Sequence, residues 1–134
     1  MDEGSSKSET RKLSMIIGVD YGLKHVGLAT SEGAFASPLT EFDADTAEEA
    51  ITKIKEVTQP LDVEKFVVGI SEGKSKEQAQ NFGDMLSNML QLPVEFVDET
   101  LTTFEAEHTH NRRQNESGSH ARAAAFILQR YLDN

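Results

Sequence analysis

Apolar positions along the chain fall into three kinds of run, and their order predicts the architecture. "LSMIIGVDYG" is an almost unbroken apolar stretch bounded by glycine, the pattern of a strand buried on both faces. "HVGLATSE" and "AFASPLTEF" follow at hairpin spacing, so the chain opens with three antiparallel strands. The period then changes. "AEEAITKIKEVTQ" carries Ala47, Ala50, Ile51, Ile54 and Val57 at helical intervals, with Asp45 as N-cap, Glu48 three residues on and Pro60 as the stop. "EKFVVGI", residues 64 to 70, predicts a fourth strand. "KEQAQNFGDMLSNMLQ" predicts a helix opened by a Ser75–Gln78 capping box, with Phe82, Met85, Leu86, Met89 and Leu90 as its core stripe. "PVEFVDE", residues 93 to 99, is a fifth strand, and Thr102 with Glu105 opens a short helix. The amphipathic "SHARAAAFILQRYL" closes the chain, burying Ala121, Ala124, Ala125, Leu128 and Leu132.

The predicted order is β-β-β-α-β-α-β-α-α. A meander followed by alternating units favours an α/β fold with a mixed sheet of three antiparallel and then two parallel strands, and helices on both faces. The polar, serine-rich residues 1–14 read as a disordered and dispensable leader, and residues 15–134 as one domain. There is no internal repeat.

Composition narrows the chemistry. The 134 residues include no cysteine and no tryptophan, so disulfides, thiolate metal sites and thiol nucleophiles are excluded. No apolar run approaches the roughly 20 residues that span a bilayer, and a cytoplasmic protein is the expectation. The formal net charge of -10 argues against a general nucleic-acid binder. Its distribution softens that: "EFDADTAEE" concentrates acid, whereas "HTHNRRQN", residues 108 to 115, carries Arg112, Arg113 and two histidines without an acid.

Asp20 is the anomaly. A carboxylate inside an apolar strand costs several kcal/mol unless it is partnered, which points to a metal, a hydrogen-bond partner or a misread strand. The other acidic landmark is the pair Asp98–Glu99 ending the fifth strand. Strand alternation lets only one of these face Asp20, and Glu99 is favoured. Two hard carboxylates at strand ends suit Mg2+ or Mn2+, ions that activate water for phosphoryl hydrolysis. The competing reading makes Asp20 a turn cap and Glu99 a solvated strand end. Lys24, just after Gly22, is placed to meet a phosphate, and Arg112 and Arg113 to grip a nucleic-acid backbone.

"IIGVDYGLKHVGLATSE", "FVVGI", "LPVEFVDETLTTFEAE" and "HARAAAFILQRYLDN" together resemble the YqgF family, also called RuvX, in order and spacing over nearly everything after residue 14. The resemblance implies an RNase H-like domain in which Asp20 and Glu99 bind divalent metal for phosphodiester cleavage, with structured RNA as partner. It further implies processing of the 5′ end of pre-16S rRNA in ribosome biogenesis, with a Holliday junction resolvase acting on branched DNA as the alternative. Monomer and homodimer both remain open, as does contact with the ribosome.

Three departures from the family pattern bear on this. Thr100 stands where an arginine is usual after Asp98–Glu99, and His25 replaces the arginine of the first glycine loop. His120 stands where the last helix usually opens with a third catalytic aspartate. In the first turn of a helix capped near Ser117 or Ser119, the dipole favours a neutral imidazole, able to ligate a metal or accept a proton from water. The other outcome is a weakened domain that binds RNA or ribosome without cleaving. A third class, the nucleotide clamp of sugar kinases and actin-like ATPases, needs a second lobe for which 134 residues leave no room.

Overall fold

A computed structural model of the chain describes residues 14–22, 24–70, 76–98 and 119–134. The leader expectation, the Ser75 cap, the short helix at Thr102 and the candidate residues Glu99, Thr100, Arg112 and Arg113 lie outside these. Within them the elements are β1 (Met15–Tyr21), β2 (His25–Glu32), β3 (Phe35–Asp43), α1 (Ala47–Thr58), β4 (Val63–Ile70), α2 (Lys76–Leu90), β5 (Val94–Asp98) and α3 (Ser119–Leu132). They follow the predicted order with ends shifted by a residue or so.

The five strands form one sheet in the order β3-β2-β1-β4-β5. The meander pairs antiparallel, with Gly33 at φ 64 in the β2–β3 turn, a left-handed backbone that glycine adopts without cost. β4 joins β1 parallel, and β5 joins β4 parallel. The expected mixed sheet is therefore present, with β1 at its centre.

Strand alternation sorts the core into two layers. Ile17 and Val19 of β1, Val26 and Leu28 of β2, and Phe66 and Val68 of β4 pack with Ala50, Ile51 and Ile54 of α1 and Phe82 and Leu86 of α2. On the opposite face Ala29 and Val67 pack with Ala124, Ile127 and Leu128 of α3. Each of these fully buried Ile, Leu, Val and Phe side chains contributes about 1.5–3 kcal/mol to keeping the helices on the sheet. Tyr21 stacks on Phe82 with ring centroids 3.9 Å apart. Burial raises the Tyr21 phenol above its ordinary value.

Two local expectations are corrected. The N-cap of α1 is Thr46 rather than Asp45: its hydroxyl accepts from the Glu49 N–H at 3.1 Å, while the Glu49 carboxylate accepts from the Asp45 N–H at 2.9 Å. Both choices satisfy the same spacing rule, and Ala50, Ile51 and Ile54 are buried as their helical spacing predicts. On α2 the outer edge of the stripe is solvated. Met89 is 47% exposed, and Ala79 and Gly83 take the inner positions instead.

α3 lies unusually close to the sheet, and two glycines permit it. A Cβ on Gly18 would stand 2.8 Å from the Ala124 carbonyl oxygen, and one on Gly27 only 2.0 Å from that of His120. Gln129 ties the far end of the helix to the edge strand: its Oε1 accepts from the Ala36 N–H at 2.9 Å and its Nε2 donates to the Ala34 carbonyl at 2.9 Å.

Candidate active site at the helix start

The site is built where the carboxyl end of β1 meets the amino end of α3. Ile17, Val19 and Tyr21 face α1 and α2, so alternation turns Gly18 and Asp20 toward α3. Asp20 pairs in register with Gly27 on β2 and Gly69 on β4. Neither neighbour has a side chain, and the carboxylate stands between two bare backbone stretches. Its side chain is 13% exposed, and its Oδ2 lies 4.0 Å from Nδ1 of His120. Asp20 is thus a strand residue, as its place in the apolar run implies. The turn after it is closed by the Gly22 N–H donating to the His25 carbonyl at 2.9 Å.

His120 is the second residue of α3, and its backbone is pinned from across the sheet. Glu41 on β3 accepts from the His120 N–H at 2.9 Å and from the Ala121 N–H at 3.1 Å through one oxygen, Oε1. A carboxylate there satisfies two of the four amides that a helix start leaves unpaired, and its charge opposes the positive end of the dipole. The acceptor is a residue 79 positions away in the chain; Ser117 lies outside the described residues. No local spacing rule finds such a contact; the only signal is an acid on an edge strand whose neighbouring glycine invites a helix.

The His120 ring stacks on that of His25, with centroids 4.7 Å apart and planes 22° apart. His25 in turn lies with Nδ1 2.6 Å from Oδ1 of Asp43. Lys24 is exposed at the same end of the sheet, and its carbonyl accepts from the Ala44 N–H at 2.9 Å. Of the sequence candidates, the structure brings Asp20 and His120 together and leaves Lys24 nearby. Glu99, Arg112 and Arg113 are outside the described residues. Among the described residues, no group of three His, Asp or Glu side chains is arranged to hold a metal ion.

With this geometry in place, comparison with known proteins is decisive on family. The family described as RuvX: Holliday junction resolvase matches residues 14–134. This chain belongs to the RuvX family. A RuvX relative from Gloeothece citriformis, named as a candidate pre-16S rRNA nuclease, is 34% identical over 130 residues, covering 87% of this chain and 86% of its own. One of the same name from Lactiplantibacillus plantarum is 34% identical over 134 residues, covering 88% and 93%. Among solved structures, the T. thermophilus RuvC in complex with Holliday junction substrate has a TM-score of 0.56 at 16% identity, over 89% of this chain and 93% of that one. The fowlpox virus resolvase with Holliday junction DNA has a TM-score of 0.53 at 11% identity, covering 89% and 97%. At those identities the likeness shows a shared RNase H-like fold. Two of the three departures from the RuvX pattern, His25 and His120, are in contact with one another.

Remote from the site, Lys65 on β4 bonds to Glu95 on β5 and to the Tyr131 hydroxyl of α3, both at 2.8 Å. The Glu95 carboxylate and the Tyr131 oxygen hold the Lys65 ammonium well above its ordinary value, and Lys65 holds Glu95 below its own.

Proposed function

We propose that this chain is a metal-dependent nuclease that hydrolyses phosphodiester bonds in structured RNA, acting in the cytoplasm on the 5′ end of pre-16S rRNA. The observation that carries the reading is the mostly buried Asp20 carboxylate facing His120 at 4.0 Å, where a central strand ends. Oxygen and nitrogen ligands sit about 2.1 Å from a small divalent ion, so two ligands of one ion lie at most about 4.2 Å apart. The separation of Asp20 and His120 falls within that ceiling. A mixed oxygen and nitrogen donor set suits Mn2+ better than Mg2+.

Glu99 is the third member of the proposed set. Glu95 reaches Tyr131 of α3 and Val97 packs in the α3 layer, so β5 turns its odd positions toward the face of Asp20. Continuing that alternation by one pair favours Glu99. A bound ion would supply water activation and stabilise the leaving oxygen. The chain's own residues do the rest. Asp20 and Glu99 concentrate negative charge for the cation, His120 ligates it or accepts a proton from water, and Lys24, Arg112 and Arg113 hold backbone phosphates. RNA is favoured over branched DNA because the curated relatives at 34% identity are named for an rRNA substrate.

The test is cleavage of end-labelled pre-16S RNA, with a four-way DNA junction in parallel, in Mn2+ and in Mg2+. Wild type should cut the RNA and Asp20→Asn should not. Equal rates for the two proteins refute the enzyme and leave an RNA-binding module. Cleavage of the junction alone replaces the substrate.

A further inference from the structure

Beside the proposed metal site lies a shallow hollow of about 190 Å³, lined by His25, Glu41, Phe42, Asp43 and His120. Ligand pockets run from about 300 Å³ upward, so this one is too small for a nucleotide and holds a few waters at most. Its polar groups are engaged with each other. Asp43 accepts from Nδ1 of His25 at 2.6 Å, which fixes the tautomer and the edge of that ring. The face of the ring is then fixed by the stack on His120, 4.7 Å between centroids. His120 presents Nδ1 toward Asp20. Four side chains from β3, β2, α3 and β1 therefore form one line, Asp43 to His25 to His120 to Asp20.

Resting on the nuclease reading above, we infer that His25 is a positioning residue: oriented by Asp43, its ring holds the His120 imidazole at the angle that faces Asp20. Glu41 fixes the backbone of His120, and the partly buried imidazole is set by two side-chain torsions of its own. Across its ring the imidazole meets His25 at the edge of the hollow. The stack sets the plane in which that ring lies. Among the described residues, the His25 ring meets Asp43 and stacks on His120, so its effect on the site passes through orientation. Exposure of 51% for His25 and 80% for Asp43 means that neither contributes much to folding.

Three variants test this in the full chain: His25→Ala, His25→Phe, which keeps the stack and loses the Asp43 bond, and Asp43→Ala. His25→Ala should lower kcat on pre-16S RNA in Mn2+ roughly 10-fold, since misplacing a reacting group by about 1 Å costs up to ~100-fold. KM should stay within about 2-fold, and the melting temperature near that of wild type. His25→Phe should recover most of the kcat, with Asp43→Ala in between. Independently of activity, the His120 ring proton resonances of the metal-free protein should shift in His25→Ala, as the ring current is lost, and much less in Asp43→Ala. Wild-type kcat in His25→Ala, with Asp20→Asn inactive, overturns the inference and leaves the nuclease reading standing. Unmoved His120 resonances also overturn it. Full activity in Asp20→Asn refutes the nuclease reading and with it any positioning role.

Discussion

Gly27→Ala is the sharpest structural perturbation of the site that leaves every polar group in place. The new Cβ would stand 2.0 Å from the carbonyl oxygen of His120, 2.2 Å from its carbonyl carbon and 2.8 Å from the Ala121 nitrogen. These are backbone atoms, so no side-chain rotation relieves the clash. Non-bonded carbon contacts relax at about 3.5 Å, and a contact of 2.0 Å requires the start of α3 to retreat by about 1.5 Å. Overpacking alone costs about 1–3 kcal/mol. A retreat of that size also takes the His120 and Ala121 amides out of reach of Glu41, forfeiting a helix cap worth about 1–2 kcal/mol. Near 2–4 °C per kcal/mol for a domain of this size, thermal unfolding should drop by roughly 10 °C. Cleavage should fall by about 100-fold at a temperature where the variant is still folded, because His120 has left Asp20. Gly18→Ala is the control. It also clashes with α3, at 2.8 Å, but against Ala124 and Leu128, further along the helix. Melting temperatures from circular dichroism and single-turnover rates should therefore separate the two variants: both destabilised, with Gly27→Ala far the more impaired in cleavage. Wild-type stability or wild-type cleavage in Gly27→Ala would refute the account of how α3 is seated.

Other expectations follow from the same geometry. Glu41→Ala should lower stability by about 1–2 kcal/mol in urea unfolding through the loss of the α3 cap, and Glu41→Gln by less, because its amide oxygen still accepts while the charge facing the helix dipole is gone. Lys65 holds the Glu95 carboxyl below its ordinary 4.5, so this pair stabilises the fold above that pH and the contribution disappears as pH falls through the lowered folded-state value. Glu95 is 48% exposed, so the effect should be under about 1 kcal/mol, and Glu95→Gln should flatten the acid limb of the stability curve by that much. Tyr21 should ionise above 10.0 in a spectrophotometric titration, and Phe82→Ala, which removes its stacking partner from the core, should cost about 3–5 kcal/mol of stability.

The parts of this molecule that were legible in its sequence are those governed by periodicity. The apolar run of β1, the hairpin spacing of β2 and β3 and the helical period in α1 and α3 were readable because each element buries one or two faces against neighbours that demand it. Asp20 stood out as a candidate because a carboxylate in an apolar strand conflicts with its surroundings. The unreadable parts depend on approach between segments distant in the chain. Glu41 looks like one acid among several in "EFDADTAEE", and its use as the cap of α3 follows only from the seating of that helix on Gly27. His25 reads as a weakened arginine until its contact with His120 is seen. The α1 cap was misplaced by one residue because Asp45 and Thr46 are both good caps at the same spacing. Met89 was assigned to the core because a stripe in sequence carries no information on how wide the covering surface is.

The central claim is convergence of Asp20, Glu99 and His120 on one divalent ion, and crystals soaked in Mn2+ measure it directly. Anomalous density should appear within about 2.3 Å of an Asp20 carboxylate oxygen, with a Glu99 oxygen in the same coordination sphere. An ion bound elsewhere, or Glu99 oxygens farther than about 4.5 Å from those of Asp20 with the site saturated, would contradict it.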